Sequence, residues 1–268
     1  MASILDRVPL PGRGRRSPEP DNEYVEPEGP ESFGEMTLQE HLEELRTRML
    51  YSSIAILIAL VAGLAFAFPV LEIVAEQANV PDSQMQTLNP TEGFVTFFKV
   101  AIYIAIALAM PVLIYQILAF VAPGLTRAEK SYVFRAIPFV VLLFIGGVAF
   151  AFFVVIPRAL GWLSGFGSGV FNWDPSAESI ISFYLRLMLG VGIVFELPPF
   201  LFILAKIGVV NHKRLSSIRK FAFLASMIAA AIITPTPDPF NMMLVAIPTY
   251  VLYEVGVFMT RFAKPSNR

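Results

Sequence analysis

The 268-residue chain contains no cysteine. A disulfide framework, a thiol nucleophile and every sulfur-ligated metal site are therefore excluded. Histidine is nearly absent: His41 and His212 stand far apart in sequence, and neither a metal site nor a bound cofactor is expected. Charge is scarce as well. Asp, Glu, Lys and Arg make up 15% of the residues, against about 25% in an ordinary soluble domain. The net charge is −1, so the chain offers no basic surface for nucleic acid.

The scarcity is concentrated. Met49–Leu71, Val100–Thr126 and Ala136–Pro157 run for 23, 27 and 22 residues without a charge. Each is long enough to cross the ~30 Å hydrocarbon core of a bilayer as a helix. A soluble enzyme is excluded. The expected fold is an all-α polytopic membrane protein with six transmembrane helices, the last two short, over approximately 50–68, 94–121, 133–156, 179–205, 221–234 and 240–258. Pro69 and Pro157 are expected to end the first and third spans, and Pro111 to kink the second near Ala107. The last pair flanks a tight polar turn at Thr234-Pro-Thr-Pro-Asp-Pro239 and requires a locally thin bilayer.

Residues 1–35 carry six prolines and many acids. They lack the basic start and apolar core of a cleavable signal, and are expected to form a disordered tail. Residues 263–268 form a second, short tail. The distribution of basic residues orients the spans. Of 20 Lys and Arg, 17 fall in the two tails and the second and fourth loops; only Arg158 falls on the other side, and Lys99 and Arg186 lie within spans. The positive-inside rule then puts both termini in the cytoplasm.

Before the first span, Thr37-Leu-Gln-Glu40 has the form of a capping box. Leu38, Leu42, Leu45 and Met49 make one apolar stripe, with Glu40, Glu43, Glu44, Arg46 and Arg48 around the rest. The pattern predicts an amphipathic helix at the membrane interface. Glu44 and Arg48 at i,i+4 are, on spacing alone, an ordinary surface pair. Glu196 stands out more: it lies within a span, where a charge costs several kcal/mol, and Pro198 and Pro199 leave nearby carbonyls without donors. Arg186 is too far along the same helix to pair with it. Lys99 reads as a snorkelling anchor, and Asp238 as a turn residue.

Glu40-His-Leu-Glu-Glu-Leu-Arg-Thr-Arg48 resembles the HLxELRxR signature that opens the TatC family, the multispanning subunit of the twin-arginine (Sec-independent) protein translocase. Met110-Pro-Val-Leu-Ile-Tyr-Gln116, Phe120-Val-Ala-Pro-Gly-Leu125 with Glu129, Phe195-Glu-Leu-Pro198, Thr234 to Asp238, and Ala246-Ile-Pro-Thr-Tyr250 with Tyr253-Glu-Val-Gly256 resemble later family segments in order, over about Met36 to Phe262. The resemblance implies a non-enzymatic receptor in a prokaryotic cytoplasmic membrane. It implies that Glu44 and Glu129, supported by Arg46 and Arg48, recognise the paired arginines of a signal peptide. It implies that Glu196 faces partners or signal peptide within the bilayer, and that an acid at Asp238 is a family feature. The implied partners are single-span TatA/TatB-like subunits in an oligomeric complex that draws on the proton gradient. Two departures stand out: Leu118 replaces a frequent Trp, and Asn241-Met-Met243 replaces a Gln. Thr234 and Asn241 are left as the polar candidates for partner contact at the last hairpin. The alternatives are a small-solute or ion-coupled secondary transporter and an intramembrane enzyme. No internal repeat supports the first, and no ligand set or paired acid at matching depth supports the second.

Overall fold

Backbone polar groups have no water to bond within a bilayer, so apolar runs of this length satisfy them internally as helices. The computed structural model describes residues 38–78, 85–121, 127–170, 173–206, 208–236 and 238–263, and among these no strand occurs. The expected tail at 1–35 and the Thr37 cap fall outside the described residues.

α1 (Leu38–Gln77) unites two elements expected to be separate. The amphipathic segment and the first span form one unbroken helix, which passes Pro69 and continues to Gln77. Interior proline forfeits one hydrogen bond, whereas ending the helix in an apolar surround would leave several groups unpaired. The leucine stripe faces outward: Leu42 and Met49 are 64% and 62% exposed. α2 (Glu92–Val121) likewise continues through Pro111.

α3 (Arg127–Phe150) passes through a π-helical turn, Ala151–Val155, into α4 (Ile156–Gly165), so the third long helix does not stop at Pro157. The wider turn moves the proline's missing bond. The Ile156 amide donates to the Ala151 carbonyl; in that register Pro157 would have served Phe152. Gln77 of α1 supplies the donor instead, its Nε2 lying 2.7 Å from the Phe152 carbonyl oxygen. Arg158 similarly donates to the Val154 carbonyl at 2.8 Å.

α5 (Ala177–Val194) and α6 (Leu197–Lys206) form the fourth long segment, broken at Phe195–Glu196. There the chain tightens, the Glu196 amide donating to Ile193 at 3.0 Å. A short α7 (His212–Ser217) precedes α8 (Arg219–Ile233) and α9 (Pro239–Met259).

Five helical segments are long and apolar enough to cross a membrane: Gln39–Gln77, Glu92–Phe120, Phe134–Gly165, Ala177–Lys206 and Pro239–Met259. α8, with 15 residues, is about 22 Å long at ~1.5 Å per residue and does not reach that length. The main core surrounds α5, where Tyr184, Ile181 and Leu187 are each 1% exposed. Small residues set the close crossings. Gly63 of α1 meets Ala101 of α2, and a methyl at Gly63 would collide with the Ala101 carbonyl oxygen. Gly147 of α3 meets Gly192 of α5, where a methyl on Gly147 would come within 2.9 Å of the Gly192 Cα. Such contacts bring backbones into van der Waals range where lipid removes the hydrophobic drive between helices. Leu57, Ile58 and Val61 of α1 are 63–72% exposed, an apolar exterior that suits lipid rather than water.

Candidate recognition face and membrane sites

The polar face of α1 packs against the C-terminal end of α2. Residues 41, 44 and 48 share that face because i,i+3 and i,i+4 positions lie above one another on a helix. His41 stacks on Phe120, with ring centroids 4.4 Å apart. Arg48 Nη2 lies 3.1 Å from Glu44 Oε1, and its Nη1 donates to Gln116 Oε1 at 3.2 Å. The Glu44 side chain is 15% exposed and that of Arg48 29%, so water screens the pair less than an open surface pair. Glu44 Oε2 and Arg48 Nε are buried and have no hydrogen-bond partner among the described residues. Glu43, beside Glu44, is exposed, and so is Arg46.

Glu129 belongs to the first turn of α3; its side chain lies outside the described residues. α2 ends at Val121 and α3 starts at Arg127. The connection can reach at most about 20 Å, so the first turn of α3 stands at the same end of the molecule as Gln116. Gln116 and Phe120 occur in the family-like segments, but nothing in their spacing indicated that they contact α1.

Glu196 occupies the break between α5 and α6, beside the close α3–α5 crossing. Both its carboxyl oxygens are buried without a hydrogen-bond partner among the described residues. Arg186, two turns and more away on α5, is exposed and does not meet it.

The last hairpin is held by its own polar groups. Asp238 caps α9: its Oδ1 accepts from the Asn241 amide at 2.8 Å and its Oδ2 from Asn241 Nδ2 at 2.9 Å. Asn241 Nδ2 also donates to Thr236 Oγ1 at 3.1 Å, and the residue is 2% exposed. The Thr234 hydroxyl donates back to the Ala230 carbonyl at 2.8 Å. Thr234, Thr236, Asp238 and Asn241 thus shape the turn, and of their described side-chain atoms Asn241 Oδ1 is buried without a partner among the described residues.

Other pairings escaped the sequence. Lys99 is not a free anchor; its Nζ contacts the Glu178 carboxylate on α5 and donates to Ser182 Oγ at 3.4 Å. Glu92 accepts from the Leu88 amide at 2.7 Å and from the Glu178 amide at 2.9 Å, joining α2 to the start of α5. Glu254 receives Arg219 through two contacts of 2.9 Å and the Tyr250 hydroxyl at 2.9 Å, fastening α9 to the start of α8.

A family model described as Sec-independent protein translocase protein (TatC) matches residues 40–248. A protein of that name from Carboxydothermus hydrogenoformans is 40% identical over 232 residues, 87% of this chain and 96% of that protein. One from Aquifex aeolicus is 38% identical over 234 residues, covering 85% and 96%. A chloroplastic TATC protein from Arabidopsis thaliana is 33% identical over 260 residues, covering 97% and 76%. A crystal structure described as the twin arginine translocase receptor TatC superposes with a TM-score of 0.75 at 36% identity, over 84% of this chain and 99% of that one. With both its signature segments and its helical arrangement matched, the chain belongs to the TatC family of Sec-independent protein translocase proteins.

Proposed function

We propose that the protein is the signal-recognising core subunit of a twin-arginine translocase. Glu44 and Glu129 present carboxylates at the cytoplasmic face, and the paired arginines of a signal peptide dock there. The observation that carries this reading is the half-filled Glu44 carboxylate. Arg48 takes Oε1, and Oε2 is buried without a partner among the described residues. Guanidinium is the cation whose forked donors match a carboxylate, and a poorly screened site strengthens the match. Arg48 holds Glu44 in place, and Arg46 adds an exposed charge two positions along α1.

The chain lies in the cytoplasmic membrane with both termini inside, in keeping with the distribution of its Lys and Arg. α8 crosses as the sixth span through bilayer thinned around it, and the apolar stripe at the start of α1 rests in the interface. Glu196 and the hairpin shaped by Thr234, Asn241 and Asp238 face single-span TatA/TatB-like subunits in an oligomeric complex, and transport of folded cargo draws on the proton gradient. Family membership disfavours the solute-transporter reading.

Photocrosslinkers placed at positions 44 and 129 test the docking site. Both are expected to capture a twin-arginine signal peptide and to lose it when the two arginines become lysines. Equal capture of both peptides, or capture from neither position, would overturn the assignment.

A further inference from the structure

A cavity of about 420 Å³ opens between α4, α5 and the α8–α9 turn. It lies at the end of α5 opposite the break at Glu196, and its lining is chemically divided. Leu160, Leu163 and Phe183 make apolar walls, while Ser179, Ser182 and Arg186 line it along α5 and Trp173 stands at its border.

Arg186 is the anomaly. It lies within the Ala177–Lys206 segment, is exposed, and has no ion-pair partner among the described residues. The one acid lining the cavity, Glu178, is already paired with Lys99. Arg186 stands nine positions after Ala177, so its Cα is about 14 Å into the segment at ~1.5 Å per residue. A cation at that depth requires a counter-charge or a route to the interface. Side chains on a helix lean toward its N-terminus, which carries the guanidinium back toward Ser182 and Ser179.

We infer that this cavity binds the phosphate of an anionic phospholipid, with Arg186 as the cation, the two serine hydroxyls as additional donors, and an acyl chain along Leu160, Leu163 and Phe183. Free phosphate would satisfy the arginine but leave the apolar walls uncovered; a phospholipid covers both. A zwitterionic headgroup brings its own cation into competition with Arg186, so a headgroup of net negative charge is preferred. The inference rests on the bilayer placement of α5 proposed above.

The chain has two tryptophans, which makes the cavity optically accessible. Trp162 stacks on Phe166 and Phe240, so Trp162→Phe keeps a ring there and leaves Trp173 as the reporter. The Trp162→Phe protein is reconstituted in phosphatidylcholine vesicles carrying increasing fractions of acyl-brominated phosphatidylglycerol or acyl-brominated phosphatidylcholine. Half-maximal quenching of Trp173 is expected at a roughly fivefold lower fraction of the anionic lipid. Arg186→Gln is expected to abolish that difference, and Arg186→Lys to keep most of it. Equal quenching by both lipids in the Trp162→Phe protein itself overturns the inference, whether or not the Arg186 variants fold. So does a preference that survives Arg186→Gln, or one removed by excess inorganic phosphate. Quenching by neither lipid would instead overturn the bilayer placement of α5, which separates the two failures.

Discussion

Arg48 of α1 and Gln116 of α2 are joined by a hydrogen bond of 3.2 Å, and the guanidinium so held also binds Glu44 at 3.1 Å. Gln116 holds Arg48 Nη1 while Nη2 takes one oxygen of Glu44. Gln116→Leu is expected to let Arg48 close over both oxygens, competing with an incoming guanidinium. Loss of one such bond, worth about 1 kcal/mol, predicts a roughly fivefold weaker affinity for a twin-arginine peptide with little change in thermal midpoint. Peptide titration and thermal unfolding of the purified variant check this; unchanged affinity would mean that Gln116 does not position Arg48.

Glu196 buries two carboxyl oxygens without partners among the described residues. Such burial costs stability, so removing the carboxyl is not expected to weaken the fold. Glu196→Ala is expected to accumulate normally in the membrane, with a thermal midpoint no lower than that of the parent, and to fail in export. Normal export by a well-expressed variant would contradict the role proposed for it.

The bond from Gln77 to the Phe152 carbonyl compensates for the donor that Pro157 lacks. Gln77→Leu is expected to cost about 1–3 kcal/mol, the usual penalty for orphaning a buried polar group. In a Pro157→Ala background, where an amide is restored, the same change is expected to cost measurably less. Unfolding measurements on the four proteins of this double-mutant cycle yield the coupling directly; additive effects would contradict the compensation.

Gly146 and Gly147 are neighbours with opposite expectations. A methyl on Gly147 would lie 2.8 Å from the Phe195 ring and 2.9 Å from the Gly192 Cα, whereas one on Gly146 meets nothing within 4 Å. Gly147→Ala is expected to destabilise by about 1–3 kcal/mol through overpacking, and Gly146→Ala to be neutral or slightly stabilising because a helical alanine replaces glycine. Thermal unfolding in one detergent compares them; equal midpoints would contradict the close crossing of α3 and α5.

The helical class and the long apolar segments were legible because absence of charge over 22 or more residues is a coarse, robust signal. Helix ends were not. Proline was expected to stop the chain at Pro69 and Pro157, but the cost of one missing bond is smaller than that of several exposed ones, and at Pro157 a side chain from α1 fills the gap. Leu42, Leu45 and Met49 lie on α1, but the continuity of that stretch with the first span was not legible, since periodicity does not report a missing hinge. Pairings across the fold, such as Lys99 with Glu178 and Arg219 with Glu254, join residues on different helices whose rotation local sequence does not encode. The sequence marks Asn241 as an available polar group; its burial follows from the turn, where Asp238 and Thr236 accept from its side-chain amide.

The proposed docking site requires that carboxylates of this chain select a pair of arginines. The most direct measurement is the affinity of the purified protein for a signal peptide carrying two arginines against the same peptide carrying two lysines, repeated with Glu44→Gln and Glu129→Gln. Clear discrimination by the parent protein is expected, with a loss of at least roughly tenfold in arginine-peptide affinity for each variant, as when a charge-assisted pair worth ~1.5–3 kcal/mol is removed, and little discrimination in the double variant. Undiminished preference for arginine in the double variant would contradict it.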